Sequence, residues 1–296
     1  MRKNQLVAVA CMLFFSIQVF GNFTIGVIPD TQNMAEDDIE AEKIMKMLKF
    51  FVDKKDELNV VFVVSLGDMT QNNNVDSEWQ RLKKAYDQLT EAGIPFAPCH
   101  GNHDGLQAIN KWFPVSDFND TPTWGGALDN NIENAYYKFS PEGLNFLLLL
   151  TQWKADQATT DWANGIFRDH PERPGIFAAH LIDQGTPYET DIITKNNNIF
   201  MSLSGHRGPP PEGREEYWTT QSPNGNTQHN VMTDYQGGKV YKDKGATIRY
   251  YPFKPAENKI CAFTWNTTNE VFETDDNSEF CMDYDMKSVG SEKAAK

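Results

Sequence analysis

The first hundred residues alternate between apolar runs and helix-like segments, and this order constrains the fold more than any other feature of the chain. Residues 60–66 are continuously apolar, which is typical of a strand buried on both faces. Residues 37–54 carry apolar side chains at helical spacing. The sequence here predicts strands at 23–29, 60–66 and 94–99 and helices at 37–54 and 77–91. A strand–helix–strand–helix–strand order predicts parallel strands joined by right-handed crossovers.

The remainder of the chain predicts further strands and one more helix. Two apolar runs flank Pro141 and Gly143, which predicts a hairpin over 135–151, and the spacing at 156–168 predicts a helix. Further strands are predicted at 175–179, 199–203, 228–233, 247–253 and 259–265. We therefore predict an α/β fold with two sheets and helices outside them. It forms a single domain over residues 22–270, followed by an acidic, loosely ordered tail at 271–296.

The N-terminus has the layout of a targeting segment. Arg2 and Lys3 precede an apolar run at 6–20, and Gly21 is small enough for a cleavage site. This predicts a secretory signal peptide at 1–21. A retained membrane anchor is the alternative, although the run is short for a bilayer span of about 20 residues. We expect a mature chain without membrane contact that is secreted, or lies in a secretory-pathway lumen or a bacterial periplasm.

Secretion would place the cysteines in an oxidising environment. Cys261 and Cys281 lie close together in the sequence, and they either pair as a disulfide or remain separate buried thiols. Asn22, Asn119 and Asn266 each begin an N-x-T sequence, the pattern of N-glycosylation acceptors in a eukaryotic secretory pathway.

The formal net charge of −14 argues against binding to a nucleic-acid backbone, which needs clustered lysine and arginine. It does not argue against a small phosphorylated substrate, because one metal site can hold such a molecule against the net charge. We therefore expect a small phosphorylated partner rather than a polynucleotide.

Polar side chains that can bind metals follow five of the predicted strands. In an open α/β sheet, ligands bind beyond the carboxyl ends of the strands. A single strand-end aspartate is usually a helix cap or turn residue, and a single buried histidine is usually satisfied by hydrogen bonds. Five strands that each deliver an oxygen or imidazole ligand to one edge indicate a common site instead. The residues are Asp30, Asp68, Asn102-His103-Asp104, His180 and His206.

Aspartate, asparagine and histidine together suit one or two divalent first-row metal ions. A bridging carboxylate can hold two such ions about 3.5–4 Å apart, as in phosphatases and nucleases. The sequence therefore predicts a metal centre at this edge.

The order of the motifs resembles that of the calcineurin-like metallophosphoesterases, which include purple acid phosphatases and many phosphodiesterases. The family pattern runs D-x-H, G-D, G-N-H-D/E, a single H, then G-H-x-H. This chain has Asp30-Thr31-Gln32, Gly67-Asp68, Gly101-Asn102-His103-Asp104, His180 and Gly205-His206-Arg207-Gly208. Its D-T-Q is similar to a secreted-type branch in which D-Y-Q, here 234–236, precedes a strand with a G-x-x-R-like motif, here 245–249. The resemblance implies a four-layer αββα sandwich of two mixed β-sheets flanked by helices.

The resemblance also implies two divalent or trivalent metal ions, Fe, Mn or Zn, in unequal positions. The second position is complete, with Asp68 as the bridging ligand beside Asn102, His180 and His206. The ligands of the first position would include Asp30 and Asp68, but Gln32 and Gly208 stand where the family has histidines. Strand alternation points Gln32 the same way as Asp30, so its carbonyl oxygen ligates a metal or its amide binds a metal-held water.

His229 is a candidate for the missing first-position ligand. It starts a predicted strand after a loop rich in Pro, Gly and Asn, from which it could turn back to the site. The alternative is a surface histidine.

The implied chemistry is hydrolysis of a phosphomonoester or phosphodiester by a metal-activated hydroxide. By resemblance, His103 protonates the leaving oxygen, and Asp104 orients this imidazole and raises its basicity. Arg207 is a candidate contact for a substrate oxyanion or an ordinary surface arginine. The segments 105–134 and 207–227 flank the motifs and are expected to form the rim that selects the substrate.

The two changed ligands also favour a second hypothesis, a secreted non-catalytic binding protein that keeps the scaffold with at most one metal. A hydrolase of a non-phosphate ester is a third. Turnover of phosphoesters with Mn, Fe or Zn supplied would separate these hypotheses.

Overall fold

Two mixed β-sheets form the centre of the structure, a computed structural model that describes residues 20–207, 214–236 and 246–286. Most of the predicted signal peptide, at 1–19, lies outside the described residues, as do Gly208, Gly245 and the end of the predicted tail at 287–296.

In chain order the strands are β1 (Phe23–Ile28), β2 (Val60–Ser65), β3 (Phe96–Ala97), β4 (Trp124–Ala127), β5 (Ala135–Phe139), β6 (Phe146–Thr151), β7 (Gly175–Ala179), β8 (Ile199–Ser204), β9 (Arg214–Gln221), β10 (Thr227–Asp234), β11 (Thr247–Lys254), β12 (Lys259–Asn266), β13 (Val271–Glu273) and β14 (Phe280–Asp283). The helices are α1 (Gln32–Ala35), α2 (Asp38–Asp53), α3 (Asp76–Glu91), α4 (Leu106–Trp112) and α5 (Gln157–Asp169).

Each sheet combines parallel strands with antiparallel ones. The first sheet has the order β13–β12–β11–β1–β2–β3, with β14 also paired to β12, and its strands β1, β2 and β3 are parallel. The second sheet has the order β4–β5–β6–β7–β8–β10–β9, and here β6, β7, β8 and β10 are parallel. The carboxyl ends of the parallel strands therefore meet along one edge of each sheet.

The sheets pack face to face, with helices on their outer faces. Phe23 of β1 packs against Phe146 of β6, with ring centroids 5.6 Å apart. On the other face of β1, the ring of Phe51 from α2 packs against the backbone of Gly26. Strand β6 alternates in the same way, since Leu147 and Leu149 share a separate buried cluster with residues of α5. The predicted four-layer αββα sandwich is therefore confirmed.

Two of the flanking helices, α2 and α5, begin at aspartate caps and bury one apolar stripe. The Asp37 carboxylate accepts hydrogen bonds from the amides of Ile39 and Glu40 at 2.9 Å, which satisfies two of the free N–H groups at the start of α2. Asp156 caps α5 through the amide of Thr159 at 2.8 Å. The buried residues of α2 include Ile44, Met47, Leu48 and Phe51.

The C-terminal segment differs from the prediction. A loosely ordered tail was expected from residue 271, but β13 and β14 both pair with β12, so that prediction is wrong for residues 271–286. Cys261 and Cys281 lie opposite each other in the β12–β14 register and form a disulfide. An acidic composition predicts disorder only in a segment that makes no other stabilising contacts. Here strand pairing with β12 and the disulfide hold the segment in place.

Two smaller expectations also change. Part of the predicted rim, β9, pairs along its length with β10 and is a strand rather than a loop. The side chain of Asn266 is buried, whereas Asn22 and Asn119 are exposed, so two of the three glycosylation sequences are accessible. Within the described residues, no helix has both the length and the apolarity needed to cross a membrane.

Candidate metal centre

The predicted ligands collect at the carboxyl ends of five strands, three parallel strands of the first sheet and two of the second. Strands β1, β2 and β3 lead to Asp30, Asp68 and Asn102, and β7 and β8 lead to His180 and His206. A sixth strand, β10, ends at Asp234 on the same edge because it runs parallel to β8. Facing edges of the two sheets thus supply all the polar groups of the site.

The structure brings together the four side chains expected in the second metal position. The Nε2 atom of His180 lies 3.1 Å from Asn102 Oδ1, 2.9 Å from His206 Nδ1 and 3.2 Å from Asp68 Oδ2. One ligand atom from each of Asp68, His180 and His206 lies within 4.8 Å of the others, a spacing at which the three can share one ion. The other ring nitrogen of His180 donates to the Leu66 carbonyl at 2.8 Å, which fixes the ring and directs Nε2 into the cluster.

Two glycines of the motifs are required by close approach. A Cβ atom on Gly101 would lie 2.2 Å from Asp68 Oδ1, and one on Gly205 would lie 2.3 Å from Asp30 Oδ1. Both distances are far below van der Waals contact. Any side chain at these positions would push a carboxylate out of the site.

Two ligand residues have strained backbones. Asp68 has φ of 45° and His206 has φ of 67°, in the left-handed region that non-glycine residues rarely occupy. Such strain costs about 1–3 kcal/mol per residue and persists where the surrounding structure fixes it, often at functional sites. It turns both side chains toward the same point.

Asp68 and His180 stabilise each other as an ion pair. Burial would lower the pKa of His180, but the hydrogen bond and charge of Asp68 outweigh it and raise that pKa. Burial would raise the pKa of Asp68, and His180 reverses this effect as well. A metal ion held by His180 would take the place of the proton on Nε2. Burial and the charge of His180 lower the pKa of His206 to about 4, so this ring is neutral and able to bind a metal near pH 7.

The predicted first position has the Asp30 carboxylate and the side-chain amide of Gln236. Asp30 is buried and accepts hydrogen bonds from the backbone amide of His206 at 3.2 Å and from Gln236 Nε2 at 3.4 Å. Burial, followed by the charges of Asp234 and Asp68, raises the pKa of Asp30 well above its usual value. The Oε1 atoms of Gln32 and Gln236 are buried and have no hydrogen-bond partner among the described residues. Gln32 begins α1 instead of continuing a strand, so the predicted strand alternation does not apply to it. The Asp30 carboxylate beside the Gln236 amide, whose oxygen is unpaired, fits a cation.

His103 is oriented by a different group from the one predicted. Its Nδ1 donates to the carbonyl of Gln71 at 2.9 Å, and its backbone amide donates to Asp68 Oδ1 at 2.9 Å. Asp104, which was expected to orient this ring, is fully buried and accepts from the amides of Gly101, Met69 and Thr70 at 2.8–2.9 Å. That expectation is wrong, because the Asp104 carboxylate is used to join the loops after β2 and β3.

His229 does not reach the centre. In the β10–β8 register it lies beside Met201, five residues before His206, which at about 3.3 Å per residue is roughly 16 Å from the carboxyl edge. Both of its ring nitrogens have partners there, the Tyr217 hydroxyl at 2.8 Å and the Asp283 carbonyl at 3.0 Å. The structure therefore contradicts its predicted role as the replacement ligand.

The rim of the site carries an aromatic and a basic group. The Trp153 ring lies 4.6 Å from the His206 ring and 5.3 Å from the His180 ring, centroid to centroid, and the sequence analysis did not single it out. Arg207 is exposed and forms an ion pair with Asp183.

Gln236 is the other group that the sequence analysis left out of the site. Gln236 follows the predicted strand at 228–233, but the strand-end rule applies to it only once the topology shows that this strand is parallel to β8.

Comparison with known proteins gives the following relatives. The protein YvnB of Bacillus subtilis strain 168, described as uncharacterized, is 25% identical over 288 residues, which cover 90% of this chain and 22% of YvnB. This chain thus spans about a fifth of the length of that relative. Purple acid phosphatase PPD1 of yellow lupin (Lupinus luteus) is similar in structure, with 12% identity and a TM-score of 0.55 over 92% of this chain and 55% of that one. GAP50, the anchor in the inner membrane complex of Plasmodium, matches with 11% identity and a TM-score of 0.49 over 93% of this chain and 94% of its own.

The family comparison agrees with the site. The calcineurin-like phosphoesterase model matches residues 23–223, from the start of β1 to just beyond β9. That range takes in Asp30, Asp68, Asn102 and both histidines of the cluster. Since the match covers most of the chain and the sandwich has the corresponding fold, this chain belongs to the calcineurin-like phosphoesterase family.

Proposed function

We propose that this chain hydrolyses a phosphomonoester or phosphodiester in a small phosphorylated substrate, with two ions of Fe, Mn or Zn at the carboxyl edge of the sandwich. The carrying observation is the convergence of Asn102, His206 and Asp68 within 3.2 Å of His180 Nε2. These are the oxygen and imidazole donors that first-row metal ions prefer. When bound, such ions polarise the phosphoryl group and lower the pKa of water.

Asp68 is the residue that would serve both positions. One of its oxygens lies 3.2 Å from His180 Nε2 in the second position, and its charge acts on Asp30 in the first. Its Oδ1 also accepts from the backbone amide of His103, so the loop that carries the proposed proton donor is tied to the bridging carboxylate.

His103 is the proposed donor of a proton to the leaving oxygen. The Gln71 carbonyl accepts from Nδ1 at 2.9 Å, which fixes the ring and leaves Nε2 for the substrate side. The ring is half-buried, so it can be reached by substrate without being a metal ligand.

The rim residues are proposed to act on the substrate. Arg207 is held by Asp183 and would contact a phosphoryl oxygen only by exchanging this partner. Trp153 lies against both imidazoles of the second position and forms a flat wall on the substrate side. The segment 105–134, which includes α4 and β4, is proposed to contribute to the same rim.

The test is turnover by the purified protein on two pairs of substrates. We expect hydrolysis of p-nitrophenyl phosphate or bis(p-nitrophenyl) phosphate after loading with Mn, Fe or Zn, and loss of hydrolysis after chelation. An alkyl phosphomonoester and an alkyl phosphodiester test whether esters with poor leaving groups are also substrates. Absence of turnover with every metal and every ester would reject the hydrolase.

A non-catalytic binding protein is the second candidate, and a specific observation favours it. The first position has Gln32 and Gly208 where the family motifs have histidines, which weakens one half of a two-metal centre. On this hypothesis the protein binds a phosphate ester reversibly in the presence of metal and releases it unchanged. Calorimetry with recovery of the intact ester would identify this outcome.

Secretion is part of the proposal. The disulfide between Cys261 and Cys281 supports it, because disulfides persist mainly in oxidising compartments. Exposed glycosylation sequences at Asn22 and Asn119 are compatible with it. N-terminal sequencing of protein collected from the medium would test it, with a start near residue 22 as the expected result.

A further inference from the structure

We infer that Gln236, at the carboxyl end of β10, supplies the missing ligand of the first metal position. As a result this position prefers an oxygen-seeking ion such as Mn²⁺, while the imidazole position prefers Zn²⁺. The inference rests on the proposed function only in assuming that the centre binds metal. Gln236 lies outside the family match at 23–223, so the match does not assign it a role.

The sheet register brings Gln236 to the site. Met232 of β10 lies beside Ser204 of β8, and two residues further along each chain are Asp234 and His206. The segment 234–236 therefore leaves the sheet at the level of the G-H-x-H motif, the motif that lacks its second histidine. The side-chain amide nitrogen of Gln236 lies 3.4 Å from Asp30 Oδ2.

The backbone around Gln236 is anchored on both sides. The Asp234 carboxylate accepts a hydrogen bond from the backbone amide of Gln236 at 2.9 Å in a tight turn. Tyr235 is buried and its hydroxyl contacts Glu215 and, at 3.1 Å, Thr264. Arg249, which is fully buried, donates to the same two residues. This network crosses between the sheets and holds Gln236 in place beside Asp30.

The donor atoms are unsatisfied. Gln236 Oε1 and Gln32 Oε1 are both buried without a hydrogen-bond partner in the described part of the chain, and buried amide oxygens are nearly always paired. The Gln236 side-chain nitrogen faces Asp30. A half-turn of the amide would place its oxygen there instead. An oxygen facing a carboxylate is stable only with a cation between them. The orphaned oxygen of Gln236, whose amide nitrogen lies 3.4 Å from Asp30, is therefore best explained as a ligand.

The donor types predict which ion each position prefers. Asp30, Asp68, Gln32 and Gln236 would offer only oxygen atoms, which suit Mg²⁺, Ca²⁺ and Mn²⁺. The other position adds His180 and His206 to oxygen donors, and imidazole suits Zn²⁺ and Fe²⁺. A histidine in place of Gln236 would remove this difference.

The experiment counts bound ions without reference to activity. The chelated protein is dialysed against Mn²⁺ alone, and bound Mn²⁺ per chain is measured by elemental analysis and by electron paramagnetic resonance. We expect two ions in the wild type. We expect one in Gln236→Ala, with the affinity of the first position reduced at least about tenfold. Gln107→Ala, which alters an exposed glutamine of α4, is the matched control and should bind two.

A second variant keeps the test decisive if Gln236→Ala fails to fold. Gln236→His should bind two ions and shift the preference of the first position from Mn²⁺ toward Zn²⁺ in a competition titration. An unchanged preference, or two Mn²⁺ ions held with unchanged affinity in Gln236→Ala, would overturn the inference.

Parallel assays separate this inference from the proposed function. Loss of one ion in Gln236→Ala without any ester hydrolysis in the wild type would support the ligand and reject the hydrolase. Hydrolysis by the wild type together with an unchanged ion count in Gln236→Ala would support the hydrolase and reject Gln236 as a ligand.

Discussion

The two proposed positions of the metal centre would share Asp68 and one edge of the sandwich, yet their remaining side chains are held in different ways. In the second position, His180 is fixed by the Leu66 carbonyl and lies within 3.2 Å of three other ligand residues. In the first position, Gln236 makes one long contact to Asp30, at 3.4 Å, and its oxygen has no partner among the residues described. One position is organised by the protein alone, and the other depends more on the ion that it would bind.

This difference has a consequence for metal exchange. A site whose ligands are already oriented loses less conformational freedom on binding an ion. We therefore expect the second position to fill first and to release its ion last. The following predictions test this contrast, beginning with the residue that belongs to both positions.

Asp68→Asn should have the largest effect because it removes the bridging charge. The amide keeps one oxygen near His180 but cannot balance two cations. We expect loss of both ions and a fall in kcat of about 10⁴-fold or more, since the ions contribute several kcal/mol to the transition state. Elemental analysis and steady-state kinetics on p-nitrophenyl phosphate measure both quantities. Retention of two ions would show that the positions do not share this residue.

His206→Ala should empty the second position only. The variant removes an imidazole whose Nδ1 lies 2.9 Å from His180 Nε2, leaving the carboxylates of the first position in place. We expect Zn²⁺ affinity to fall more than about 100-fold and turnover to fall about 10³-fold, while one Mn²⁺ ion is still bound. His170→Ala, which changes a histidine beyond the cluster, is the matched control. Loss of both ions in His206→Ala would mean that the positions fill cooperatively.

His103→Ala should separate chemistry from metal binding. The side chain contacts the Gln71 carbonyl and is not among the clustered ligand atoms, so both ions should remain. Hydrolysis of an alkyl phosphate should fall about 10²–10³-fold, as expected for a lost general acid. Hydrolysis of a nitrophenyl ester should change little, because nitrophenolate leaves without a proton. Equal losses on both substrates would reject the proton-donor role.

The sequence predicted most of the fold and most of the second position for a simple reason. Alternating strands and helices place strand ends on one edge, and chemistry-bearing residues at strand ends are visible in the sequence. The imidazoles of His180 and His206 were found in this way. The same rule could not place Gln236 with certainty, because only the topology shows that β10 is parallel to β8.

The partner of His103 shows a different limit. Every residue has a backbone carbonyl, so nothing in the sequence marks Gln71 as the residue that orients His103. Asp104 was the obvious candidate because it is adjacent and acidic. Its carboxylate instead accepts from Gly101, Met69 and Thr70, contacts that depend on how two loops meet in space.

His229→Gln should have the smallest effect and tests whether the first position needs any histidine. Both ions should remain, since Tyr217 and Asp283 occupy its ring nitrogens. Loss of these hydrogen bonds should lower the free energy of unfolding by about 1 kcal/mol at pH 7.5. Denaturant titration measures this difference.

The pH dependence of that difference has a definite sign. Burial lowers the pKa of His229 in the folded state, against the opposing effect of Asp283, so the unfolded chain takes up the proton first as the pH falls below about 6.5. Protonation then stabilises the unfolded state of the wild type but not of His229→Gln. The stability advantage of the wild type should therefore shrink between pH 7 and pH 5. A growing advantage over that range would show that the folded state binds the proton more tightly. Loss of one ion in His229→Gln would return His229 to the ligand set in place of Gln236.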